Sequence, residues 1–80
     1  MQLNPEIFDK VSLTATGLVS TALVQIGTMF TAERLFELMN TEKEKTPLSE
    51  ILSSLDELIE HEILFKKDSI YRINEYYLTA

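Results

Sequence analysis

The stretch "PLSEILSSLDELIEHEILFKKDSIYRIN", residues 47–74, changes its hydrophobic period part-way along. In its first half Leu48, Ile51, Leu52, Leu55, Leu58 and Ile59 are spaced 3, 1, 3, 3 and 1 apart, the recurrence of one apolar face on an α-helix. Thr46-Pro47 opens that helix, since a first-turn proline gives up only an N–H that would be unpaired anyway. The helix is expected over 47–61, with Ser49, Glu50, Ser53, Ser54, Asp56, Glu57, Glu60 and His61 on the opposite face. Beyond it, "EILFKK" and "SIYRIN" are short β-branched and aromatic runs on either side of a polar Lys67-Asp68-Ser69 turn, a hairpin pattern. That turn lacks the glycine that usually supplies a positive φ.

Upstream, Thr31 is placed to cap a helix "AERLFELM" with Glu33 in its first turn and Ala32, Leu35, Phe36 and Met39 on one side. The charged "NTEKEKTP" (40–47) between the two helices reads as a loop. Residues 11–30, "VSLTATGLVSTALVQIGTMF", carry no charge, which raises the question of a membrane span. Nine of those twenty residues are Ser, Thr, Gly or Gln. Ala15, Leu18, Val19, Ala22, Leu23 and Ile26 share one face, whereas Gly17, Ser20, Thr21 and Gln25 do not, and Val24 is the exception. A lipid-facing helix is apolar all round, so this is read as a core helix, capped by Thr14 and stopped by Gly27 after Ile26. "TMF" is a connector or rudimentary strand. Asn4-Pro5-Glu6 starts a short N-terminal helix with Ile7, Phe8 and Val11 as its apolar stripe.

Eighty residues with 45% hydrophobic content, four phenylalanines and three tyrosines fit one small domain. Without cysteine, no disulfide framework can supplement the core, which suits a cytoplasmic setting. The N-terminus "MQLNPEIFDK" lacks the basic region and cleavage pattern of a signal peptide. A net charge of −6 opposes general attraction to nucleic acid or anionic lipid. Most of the excess lies between Pro47 and Glu62, which holds five acids and no Lys or Arg.

Three helices followed by a hairpin make a mainly α, α+β domain of winged-helix plan: residues 1–11 an N-terminal helix, 12–74 the core with its C-terminal wing, and 75–80 a tail. In wording, "SLTATGLVSTALVQIGTMFTAERLFELM…LSSLDELIEHEILFKKDSIYRIN" resembles the winged-helix domain that follows the ATPase core in STAND-type signalling ATPases and their class III adenylyl cyclase relatives. The shared features are a small-residue helix ending in "IG", the aromatic-plus-cap "MFTAERL", then "LDELIEHEIL" and "YRI". The resemblance implies a non-catalytic relay packed against neighbouring domains, with no nucleotide-binding motif of its own.

The chemistry-bearing residues point the same way. Ser53, Ser54, Asp56 and His61 have triad residue types but share one exposed helix face with no oxyanion hole. His61 lies where a helix C-terminus favours its cation, and a capping role is expected. Glu57 and Glu60 are a turn apart, too few oxygens for a hard cation. No catalytic, cofactor-binding or metal-binding residue is assigned, and the chain is expected not to be an enzyme. The expected protein-binding residues are Glu50, Asp56, Glu57 and Glu60 on the acidic helix, which would steer a basic partner, and Tyr76, Tyr77 and Leu78 in the tail, which either folds back or docks elsewhere. The partner is a protein or neighbouring domain, and a homodimer is compatible with this reading. The alternative is a DNA-binding transcriptional regulator contacting DNA through Lys66, Lys67 and Arg72 on the wing, or as a dimer. Against it, the would-be recognition helix presents carboxylates to a phosphate backbone.

Overall fold

Asn4-Pro5 does start a helix, but a 3₁₀ turn over Pro5–Asp9 rather than an α-helix. The Asn4 side chain accepts from the Glu6 N–H, and the next cap, Ser12, follows too soon for an α-helix to develop. The tighter turn buries Ile7 and Val11 but leaves Phe8 out in solvent. Helix α1 spans Leu13–Gln25, capped by Ser12 rather than Thr14, with Ser12 Oγ accepting from the Ala15 N–H at 3.1 Å. Its inner face holds Ala15, Leu18, Val19 and Ala22 as the spacing predicts, together with Thr16, whose hydroxyl donates to the Ser12 carbonyl. Gly27 ends the helix with φ +139°, a conformation that favours glycine.

A computed structural model describes residues 1–79 of the chain; Ala80, the end of the expected tail, lies outside the described residues. Strand β1 is Gln2–Leu3, and "TMF" contributes strand β2, Met29–Thr31. Thr31 also caps helix α2, Ala32–Met39, accepting from the Arg34 N–H. After the loop comes helix α3, Leu48–Glu60, then strands β3, Leu64–Lys67, and β4, Ile70–Ile73. The chain is thus an α+β fold of three α-helices and a small antiparallel sheet of order β2-β4-β3. No helix among the described residues is long and apolar enough to cross a membrane.

Two turns place the sheet against the helices. At the end of α3, the Glu62 N–H bonds the Ile59 carbonyl at 3.0 Å and the Ile63 N–H bonds the Leu58 carbonyl at 2.9 Å. That pair of bonds is the Schellman arrangement, and it holds Glu62 at φ 59° in the position usually given to glycine. Ile63 and Leu58, brought together by the motif, are both fully buried. In the hairpin, Asp68 takes the left-handed conformation, at φ 57°, in a two-residue connection between Lys67 and Ile70.

The core lies between the inner faces of α1 and α3 and one face of the sheet, with Ile51, Leu55, Leu58, Leu64 and Ile73 essentially without exposure. Phe30 on β2 and Tyr71 on β4 pair directly and stack at 5.8 Å between ring centroids.

The C-terminal segment resolves the two alternatives left open for it. It folds back. Residues Glu75–Tyr77 form a 3₁₀ turn capped by Asn74, and strand β5, Leu78–Thr79, pairs antiparallel with β1. Asn74 also donates to the Glu62 carbonyl at 2.7 Å, and the Asn4 N–H donates to the Tyr77 carbonyl at 2.7 Å. Tyr77 is 7% exposed and Leu78 half-buried, whereas Tyr76 is 67% exposed with its ring edge-on to Tyr77.

Tyr77→Ala is therefore expected to lower stability by about 3 kcal/mol, the cost of emptying an aromatic site in a core. Tyr76→Ala should cost no more than about 1 kcal/mol. Chemical denaturation of both variants checks this. Relieving the strained helix end by Glu62→Gly should raise stability by up to about 1 kcal/mol, read by the same method.

Candidate interaction surfaces

The acidic face of α3 is divided by the fold. At about 100° per residue, Asp56 follows Leu52 and Glu60 follows Asp56 along one edge of the apolar stripe, while Glu50 and Glu57 fall on the far side. Glu57 turns to the start of α1. Its Oε2 accepts from the Ser12 N–H at 2.8 Å and its Oε1 from the Ser12 hydroxyl at 2.9 Å. A carboxylate there satisfies an orphan donor and lies at the positive end of the α1 dipole. Glu57 thus joins two helices within the domain, which corrects its expected place among free partner-binding acids. Glu50, Asp56 and Glu60 remain exposed. So does Tyr76, whereas Tyr77 is buried and Leu78, half-buried, is paired with Leu3 across the β1–β5 ladder.

The apolar stripe of α3 is wider than the core it serves. Ile51, Leu55 and Leu58 are inside, but Leu48 is 47% and Leu52 41% exposed. These two leucines line a shallow groove with Ala32 and Phe36 of α2, edged by Glu33 and Glu37. Glu37 is ion-paired with Arg34 at 3.3 Å, whereas Glu33 makes no ion pair among the described residues. Asn40 fixes the approach of the two helices. Its amide donates to the Phe36 and Thr46 carbonyls at 2.9 and 3.0 Å, and its Oδ1 accepts from the Thr46 N–H at 3.1 Å. A charged eight-residue stretch is thereby closed into a defined connection that sets Leu48 beside Phe36.

The serines and histidine with triad residue types are not brought together. Ser54 is buried, a correction to its expected place on the solvent face, while Ser53 and His61 are exposed. No hydrogen bond among the described residues joins them, and His61 serves as the C-cap residue through its backbone N–H to Glu57. Among the described residues, no three His, Asp or Glu side chains converge as a metal site would require.

The wing cations separate by strand alternation. Lys66 lies across from Tyr71, with Nζ 5.4 Å from the ring centroid, a cation–π contact. Lys67 and Arg72 are on the other face, together with Met29, Phe65 and Ile70, each about half exposed. Sequence reasoning passed over these three, although period-two alternation from the inward Tyr71 and Ile73 would place Ile70 and Arg72 outward. The Ser12–Glu57 contact had no such signal, its partners being 45 residues apart.

No family model, curated protein or solved structure matches this chain.

If Glu57 is a structural cap, Glu57→Ala should lower stability by about 1–2 kcal/mol. Glu50→Ala and Glu60→Ala should each stay within about 0.5 kcal/mol of the parent. Urea denaturation of the three variants distinguishes them.

Proposed function

We propose that the chain is a non-catalytic interaction or regulatory module of winged-helix type, which works by holding a protein partner or neighbouring domain. The order of three helices followed by a hairpin packed on α3 supports the winged-helix reading, as does the resemblance of residues 12–74 to the relay domains of STAND-type ATPases. The observation that carries the interaction reading is the α2–α3 groove. Leu48 and Leu52 stand about half exposed beside Phe36, in a helix whose Ile51, Leu55 and Leu58 are packed inside and whose Ile59 is partly buried. Half-exposed leucines in a concave site gain burial when an apolar partner covers them. Glu33 at the groove's edge and Asp56 one helical turn beyond Leu52 select a partner whose apolar residues are flanked by Lys or Arg, and speed its approach.

The same acids oppose a DNA-reading role for α3. A recognition helix contacts phosphates and base edges with cationic and amide side chains, whereas this one offers serines and carboxylates.

The test is a titration of the ¹⁵N-labelled domain with a helical peptide carrying a leucine stripe flanked by lysines. Saturable shifts should centre on Phe36, Leu48 and Leu52, and Leu52→Lys should weaken binding about tenfold or more, equivalent to roughly 1.4 kcal/mol. Saturable binding of duplex DNA with a steep salt slope, and no response to the peptide, would overturn the proposal.

A further inference from the structure

The outer face of the sheet carries a second, opposite pattern. Across the three strands, Met29, Arg72 and Phe65 stand in one register row, and Thr31, Ile70 and Lys67 in the next. Side chains directly across adjacent strands are about 5 Å apart, so Arg72 lies flanked by two apolar side chains with Ile70 two residues along its own strand. Met29 is 54% exposed, and Phe65 and Ile70 are 43% exposed each. Neither Lys67 nor Arg72 makes an ion pair among the described residues, whereas Lys10 and Arg34 are bridged to Glu6 and Glu37. The acids nearest this face are Asp68 in the hairpin turn and Glu75, which lines a recess with Arg72 and Phe65. In a chain of net charge −6, this face is where cations and apolar side chains coincide.

We infer that the outer sheet face is a docking surface for an acidic amphipathic segment of a partner protein, one whose apolar stripe is flanked by Asp or Glu. Charge complementarity selects the occupant. Arg72 offers a planar fork that a carboxylate meets with two parallel hydrogen bonds, and Lys67 a second point of positive charge one row away. Met29, Phe65 and Ile70 need an apolar complement, which a phosphate backbone does not provide. A second copy applied with its two-fold axis through Arg72, the central strand's cation, would set that guanidinium against its own counterpart. The surface is separate from the α2–α3 groove and prefers the opposite charge, so one domain would hold two partners, or two segments of one partner, of opposite sign.

The experiment uses the whole ¹⁵N-labelled chain and a helical peptide about 15 residues long, near the length at which an isolated helix holds, with leucines flanked by glutamates. Saturable shifts at Met29, Phe65, Ile70 and Arg72 are expected, weakening as salt rises. Arg72→Glu should reduce affinity at least tenfold, and Lys67→Glu should reduce it several-fold. Circular dichroism confirms that each variant is folded, and if Arg72→Glu is not, Lys67→Glu alone decides. The inference fails if the glutamate peptide gives no saturable shift on the sheet, if its shifts fall on the α2–α3 groove, if duplex DNA displaces it from the sheet, or if sedimentation shows that the sheet face is occupied by a second copy.

Discussion

One helix can present only one face to a core of this size, and that limit shapes everything else in the domain. A small chain buries a modest fraction of its surface, so each fully enclosed side chain matters to stability. In α3, Ile51, Leu55 and Leu58 take the enclosed positions against α1 and the sheet. The helix carries more apolar residues than that face can hold. Leu48 and Leu52 lie beyond its margin, beside Phe36, and their apolar area is the unspent part of the helix. The same division occurs in the sheet, where Phe30, Tyr71 and Ile73 pack inward while Met29, Phe65 and Ile70 are left outside.

Around that core, polar contacts between distant residues determine which surfaces stay free. The Glu57 carboxylate holds the first turn of α1, and so leaves the list of acids a partner could meet. Asn74 gathers the end of α3, the end of β4 and the C-terminal turn into one hydrogen-bonded junction. The short β1–β5 pair then brings the two ends of the chain side by side and encloses Tyr77. Which side chains reach the surface is thus decided by bonds between distant parts of the chain as much as by the amphipathic pattern of each element.

Local chemistry was legible in the sequence. Asn4, Thr31 and Gly27 act where their residue types predict. The helices expected from Thr14 to about Ile26, over 32–39 and over 47–61 appear within a residue or two of those bounds, the first capped by Ser12 instead of Thr14. Each of those features rests on interactions within about one turn of chain, which a linear reading captures. Features set by distant partners were not legible. A full stripe of six apolar residues on α3 gives no hint that Leu48 and Leu52 lie outside, because the width of the core depends on where α1 and α2 pack. The separation of Tyr76 from Tyr77 likewise depends on β5 finding β1 at the opposite end of the chain. Glu62 is held left-handed by the hydrogen bonds that end α3, against its own preference, which residue type alone would not predict.

Together these features describe a scaffold that presents an acid-edged apolar groove on its helices and a cation-bearing apolar face on its sheet. Ala32 and Phe36 pack against the core from the groove's floor. Leu48 and Leu52 on α3 and Met29, Phe65 and Ile70 on the sheet stand outside it, and their independence from the core is the claim on which the functional account stands. Urea denaturation of a Leu48→Lys, Leu52→Lys double variant measures it directly, since lysine stems can lie along the same groove with their charges in water. The account predicts a loss of no more than about 1–2 kcal/mol with an unchanged denaturant slope, in keeping with partly exposed positions. A loss of about 4 kcal/mol or more, the scale of two emptied leucine sites, would contradict it and return both residues to the core.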